Sequence, residues 1–168
     1  EALEALVVRL EELGTEAVAV TADVGVEEDI ERIIDVSMSR FGCVDILVNN
    51  AAIIHPRIDL VDLDIQLWRK VIDVNLTGAA LLTKAVLPYM IKRKSGKIIN
   101  ISSQTGIVAL NDHSAYAASK NGLNALAKSI TCEWAKHNIQ CNAICPTVIL
   151  TPMGERVWGE PAKGDPMK

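Results

Sequence analysis

Aromatic side chains are scarce. The 168 residues hold three Trp, two Tyr and one Phe, 4% of the chain, so Ala, Val, Leu and Ile must fill any core. Cysteines are few and scattered. Cys43, Cys132, Cys141 and Cys145 form no Cys-x-x-Cys pair, and His55, His113 and His137 fall at no metal-like spacing, so reduced thiols and no metal site are expected. Basic charge is not in surplus either. Seventeen Lys and Arg against 21 Asp and Glu give a net charge of -4, and a pI near 5.4, which argues against nucleic acid as a partner. No apolar run approaches the roughly 18 residues needed to cross a bilayer, and nothing resembles a signal peptide. A cytoplasmic protein with no membrane partner is the expectation. With 49% apolar and 23% charged residues, disorder and collagen-like repeats are excluded, and the length fits one domain.

What is present is an alternation of periods. Leu3, Leu6, Val7, Leu10 and Leu13 follow helical spacing and Gly14 is a natural stop. Residues 17–22 (Ala-Val-Ala-Val-Thr-Ala) predict a short buried strand ending at Asp23. Residues 27–41 predict a helix with Ile30, Ile33, Ile34 and Met38 inward and three acids in the first turn, where the helix dipole favours them. A strand at 44–48 opens into Asn49-Asn50-Ala51-Ala52. A long helical pattern over 65–92, interrupted or kinked, leads to a strand at 97–102; a helix over 114–136 leads to a strand at 139–144. The Pro- and Gly-rich tail after Pro146 predicts loop with at most short helices.

Strands alternating with helices imply an α/β fold: a doubly wound, mostly parallel sheet with helices on both faces. Strands buried on both sides should be continuous apolar runs, as Ile46-Leu47-Val48 and Ile98-Ile99 are. Ligands of such sheets sit beyond the carboxyl ends of the strands. Asp23, Asn49-Asn50, Ser102-Ser103 and Pro146-Thr147 all fall at those ends, so one crevice should gather them.

Tyr116 and Lys120, four apart near a helix start, share one face. Alone the pair would be a surface Tyr and a solvated Lys. Here Ser103 lies thirteen residues earlier at a strand exit, and Asn75 lies in the preceding long helix. With Asp23-Val24, Asn49-Asn50-Ala51-Ala52, Tyr116-Ala117-Ala118-Ser119-Lys120, and Pro146 followed by Thr151 and Met153, the chain resembles a short-chain dehydrogenase/reductase throughout.

That resemblance implies a Rossmann-type fold, a bound NAD or NADP, and the interconversion of a secondary alcohol with its ketone by hydride transfer. Tyr116 would be the acid/base, Ser103 would hold the substrate oxygen, and Lys120 would lower the phenol's pKa and bond the cofactor ribose. Asn75, through a backbone kink, would anchor a proton-relaying water. A free Tyr titrates near 10, so poising it at neutrality takes roughly 3 units, or about 4 kcal/mol. A cation about 4 Å away at an effective dielectric near 20 supplies about that. Asp23 and Val24 would take the adenine, and Asn50 and Ala51 would pass behind the adenosine ribose. Ala52 stands where the family usually has Gly, adding a methyl to that wall. Pro146, Thr147, Ile149, Thr151 and Met153 would line the nicotinamide end.

Pro146-Thr147, where Pro-Gly is common in the family, is similar to the L-xylulose reductase and sugar-alcohol dehydrogenase branch. Gln104, His113 and Trp158 extend that likeness and would join Ser103 and Tyr116 in binding a polyol or sugar. A 3-oxoacyl or other aliphatic carbonyl reductase is the alternative enzyme. A non-catalytic nucleotide-binding protein has no need of Asn75, Ser103, Tyr116 and Lys120 together. Against the resemblance, residues 1–168 make a partial domain, expected to lack the glycine-rich phosphate loop, the first strand-helix-strand unit and the closing helix and strand. Alone it is expected to be marginally stable and poorly active. The residue that selects between cofactors belongs to the absent part; NAD is slightly favoured, since polyol oxidation commonly uses it. The two long helices carry more apolar residues than one sheet face needs (Leu81, Leu82, Val86, Leu126, Ile130, Trp134), and the resemblance, since the family pairs these helices between subunits, implies a homotetramer in the whole protein.

Overall fold

The computed structural model describes residues 2–149, 151, 152, 154 and 155. Its order is α1 (Ala2–Glu12), α2 (Glu27–Phe41), β1 (Ile46–Asn49), α3 (Ile65–Ile72), a π turn (Asp73–Thr77), α4 (Gly78–Arg93), β2 (Gly96–Ile101), α5 (Ser114–Trp134) and β3 (Ile139–Ile144). The three strands are parallel, in the order β1-β2-β3, with Leu47 opposite Ile98 and Ile98 opposite Cys141. A parallel sheet joined by helical crossovers is the α/β architecture the alternation predicts.

Alternation along each strand sends Ile98, Ile139 and Cys141 to one face, where they meet Ile34 of α2, Val86 and Met90 of α4, and Ala127 and Ile130 of α5. This is the core. Burial pushes the Cys141 thiol up to about 11, so that cysteine is an inert apolar side chain. A Cβ at Gly96 would run into the fully buried Met90, so β2 has to begin on a residue without one. α2 ends on Gly42, whose φ of 73° makes the left-handed cap, with its N–H bonded to the Met38 carbonyl.

Three expectations are corrected. Residues 17–22 form no strand: the chain runs extended from 15 to 23 without ladder partners, because no described strand lies beside them. Period-2 apolar residues supply a strand's side chains, but only a neighbour supplies its hydrogen bonds. Second, the strands are not buried on both sides. Ile46, Val48 and Ile144, which point away from the core, stay half exposed. Third, Leu82, Val86 and Ile130 are not spare apolar surface for subunit pairing; all three are buried within this chain.

The predicted interruption of the long helix is the π turn, a local widening between α3 and α4 rather than a break. Over Ile65–Arg93 the chain is helical for 29 residues, long and apolar enough by length and composition to cross a membrane. Val71, Val74, Asn75, Leu82, Val86 and Met90 of that stretch are instead buried within the fold.

Candidate active site

Parallel strands bring their carboxyl ends to one edge, and the ladder continues past it. The Ser102 N–H donates to the Ile144 carbonyl (2.8 Å) and the Gln104 N–H to the Pro146 carbonyl (2.8 Å), which fixes the two exits side by side. Beneath them the Asn49 amide of β1 donates to Asn100 Oδ1 of β2 (2.8 Å) and to Thr83 Oγ1 of α4 (3.2 Å), a buried polar rung under the exits. Above the exits opens a cleft of about 560 Å³. Among its lining residues are Asn50, Ala51, Ala52, Ser103, Gln104, His113, Tyr116, Lys120, Pro146, Thr147, Ile149 and Thr151, so most of the site residues read from the sequence meet there.

Tyr116 and Lys120 sit one turn apart on α5, and the Lys120 ammonium lies over the Tyr116 ring, 5.6 Å from its centre. Lys120 is 2% exposed, and its Nζ donates to the Ile101 carbonyl at 2.6 Å. Burial without an acidic partner lowers its pKa to about 8. The Tyr116 phenol is pushed up by burial, against which the hydrogen-bonding Ser103 hydroxyl acts downward. The poise near neutrality expected from Lys120 is therefore not set by these residues in isolation. Low dielectric disfavours phenolate and ammonium alike, and each gains only when the other is charged.

Asn75 lies in the π turn and is 1% exposed. Its side-chain carbonyl accepts from the Ile53 N–H (2.8 Å), and its amide donates to the Ile53 carbonyl (2.9 Å) and to Ser119 Oγ (3.1 Å). Ser119 Oγ donates in turn to the Tyr116 carbonyl at 2.7 Å. The asparagine thus ties the loop after β1 to the helix that carries the tyrosine, using both of its amide hydrogens to do so. Ser102, whose hydroxyl donates to the Lys120 carbonyl (2.8 Å), makes the matching tie from β2.

Asp23, Val24 and Asn75 are the described site residues that do not line the main cleft. Lys70 bridges the Asp23 carboxylate at 2.8 Å and the Gly25 N–H donates to it at 2.9 Å, both holding its pKa below the usual range. Its neighbour Val24 lines a smaller cavity of about 130 Å³ with Asn49, Asn50 and Ala51. Asn50 and Ala51 border both spaces, which places the smaller one at the end of the main cleft. Met153 and Trp158 lie outside the described residues. The sequence pattern put Ser102 at the crevice and Ser119 beside Tyr116 without giving either a role, and it did not mark Ile54 and Leu110. The role of Ser119 could have been found, since a small polar residue three after Tyr116 falls on the buried side of α5. Ile54 and Leu110 sit on loops, where no periodicity marks them.

The short chain dehydrogenase family model matches residues 1–161. The chain belongs to the short-chain dehydrogenase family. A 3-oxoacyl-[acyl-carrier-protein] reductase of Synechocystis is 38% identical over 160 residues, 95% of this chain and 64% of that protein. D-threitol dehydrogenase of Mycolicibacterium smegmatis is 36% identical over 87% of this chain and 55% of its own. The solved gluconate 5-dehydrogenase of Burkholderia cenocepacia, in complex with NADP and tartrate, superposes with a TM-score of 0.89 at 33% identity over 96% of this chain and 63% of that one. This dehydrogenase chain thus spans less than two thirds of the length of these relatives.

Proposed function

We propose that this dehydrogenase chain carries the catalytic residues of an NAD(P)-dependent oxidoreductase that interconverts a polyol or sugar alcohol with its ketone. The observation that carries the reading is the buried Lys120 ammonium over the Tyr116 ring, with Ser103 as the phenol's hydrogen-bonding neighbour at the same cleft. The residues fit a dinucleotide. Lys120 uses one of its three N–H donors on Ile101 and has no carboxylate beside it among the described residues, so two donors are left for hydroxyls in the cleft. Ala51 and Ala52 keep that wall low, and Val24, Asn50 and Ala51 offer a shallow end for an adenine. Asp23, Ile149 and Thr151 complete the proposed contacts, with Thr147 and Pro146 as the far wall. When bound, the nicotinamide supplies or takes the hydride.

The protein's own residues then handle the oxygen and its proton. In the reducing direction Ser103 donates a hydrogen bond to the ketone oxygen, and the Tyr116 phenol transfers its proton as negative charge develops there. In the oxidising direction the Tyr116 phenolate takes the hydroxyl proton, and the Lys120 ammonium stabilises that phenolate. Gln104 and His113, both of which line the cleft, would meet neighbouring hydroxyls, which a site with buried polar groups selects strongly. D-threitol dehydrogenase among the relatives supports a polyol, and the 3-oxoacyl reductase keeps the aliphatic alternative in view.

The test is turnover of threitol, xylitol, xylulose and a 3-oxoacyl thioester with each cofactor. Polyols turned over with NAD at the higher kcat/KM is the expected result. Preference for the thioester overturns the substrate assignment, and a preference for NADP overturns the choice of cofactor.

A further inference from the structure

We propose that His55 is a positioning residue for substrate recognition, acting through His113 from behind a wall built of two loops. The proposal rests on the reading of His113 as a contact for substrate hydroxyls. One loop, residues 50–64, leaves β1; the other, residues 107–113, enters α5. Ile54 and Leu110, one from each, line the cleft with His113, whereas His55 does not.

Three contacts fasten the loops together. The Ile58 N–H donates to the Asp112 carbonyl at 3.2 Å, Arg57 Nη2 stands 3.5 Å from the Asp112 carboxylate, and the His55 and His113 rings lie 6.0 Å apart at 36°. Asp112 has a φ of 63°, a left-handed conformation that a non-glycine residue holds where its surroundings fix it. The two loops therefore behave as one wall.

The imidazoles are oriented with equal care. His55 is 3% exposed and His113 2%, and each Nδ1 lies 2.7 Å from a main-chain carbonyl, that of Pro56 for His55 and that of Asn111 for His113. A carbonyl can only accept. Each Nδ1 must carry a proton, which fixes the orientation of each ring, since neither can flip without breaking that bond. His55 Nε2 is buried and has no hydrogen-bond partner among the described residues. If this position existed only to fill space, a hydrocarbon would do so without stranding a polar atom. What the imidazole adds is the Nδ1–H bond to the Pro56 carbonyl, which fixes the chain two residues before the Ile58 N–H reaches Asp112, and with it the stance of His113.

Tyr116 is held separately, by Ser119 on its carbonyl. Loss of the His55 tether should therefore disturb hydroxyl recognition and leave the proton donor in place. His55→Asn keeps an N–H where Nδ1 was, His55→Leu keeps bulk without a donor, and Arg57→Gln loosens the same junction from its solvent side. In the active enzyme we expect His55→Leu to raise KM for a polyol about tenfold, with kcat and KM for the deoxygenated alcohol of equal length within about twofold. His55→Asn should stay close to wild type, and Arg57→Gln should move KM in the same direction as His55→Leu. Imidazole ¹⁵N spectra should show His113 as the Nδ1–H tautomer in the wild type and as a mixture in His55→Leu.

An unchanged polyol KM and His113 spectrum in both His55→Leu and Arg57→Gln would overturn the proposal, as would His55→Asn failing as badly as His55→Leu. His113→Leu separates the layers. If it leaves the preference for polyols intact, the reading of His113 itself is wrong; if it abolishes the preference while the His55 variants do not touch it, only the positioning role falls.

Discussion

Burial acts on Tyr116 and Lys120 in the same sense, since it disfavours charge on each. The consequence for stability has a definite sign. Lys120 titrates at about 8 in the fold and at its ordinary value of 10.5 when unfolded, so between those values the unfolded chain holds a proton the folded chain lacks. Stability should rise with pH from about 8 toward 10, and the cost of the buried charge is fully present below about 8. Above 10 the raised Tyr116 opposes the gain, because the unfolded phenol ionises first. Denaturant midpoints at pH 7 and 9.5 check this. Lys120→Met should lose the pH-dependent gain and be more stable than wild type at pH 7, by up to about 3 kcal/mol, while its turnover collapses. The pairing of these two residues was legible from their spacing of four. Their electrostatic state was not, because desolvation depends on what the rest of the chain packs around them.

Element by element, local signals succeeded where a segment is its own partner. α2 occupies residues 27–41 as expected: its acidic first turn, the Ile30 and Ile34 spacing and the left-handed Gly42 all act within the helix. Residues 17–22 carry an equally clear pattern, yet a strand needs a neighbour that the segment does not contain. The π turn at Asp73–Thr77 was foreseen as an interruption, but which hydrogen bonds it serves was not. Asn75 is turned there to cap both main-chain groups of Ile53, a residue 22 positions away. Asn75→Ala strands that N–H and C=O as well as Ser119, and should cost about 2–4 kcal/mol by chemical denaturation. Its turnover should fall further than its stability explains. Gly78 closes the same turn, and a Cβ there would stand 2.5 Å from the Val24 carbonyl oxygen, so Gly78→Ala should disturb the Val24 end of the cleft through the backbone.

At the scale of the molecule, among the described residues, one sheet face and both sheet edges, β1 and β3, stand open. β1 pairs with β2 alone, and its outward residues Ile46 and Val48 are 56% and 51% exposed. α1 has no buried residue among those described, leaving Leu3, Leu6 and Val8 about half exposed, with Leu13 just beyond it more exposed still. An open parallel strand with apolar residues is a template for association. Alone, the 168-residue chain should self-associate in light scattering, and Ile46→Lys should shift it toward monomer without loss of helix content. The crevice itself was legible from topology, since parallel strands must deliver their exits to one edge. Its two-loop wall was not, because loops carry no period. The claim at the centre of the account is that the Tyr116 phenol moves the proton. Tyr116→Phe, assayed in the active enzyme for turnover and for cofactor binding by fluorescence, tests it most directly. The account expects turnover to fall by at least about a thousandfold with the cofactor Kd within about threefold; a Phe variant that turns over at the wild-type rate would contradict it.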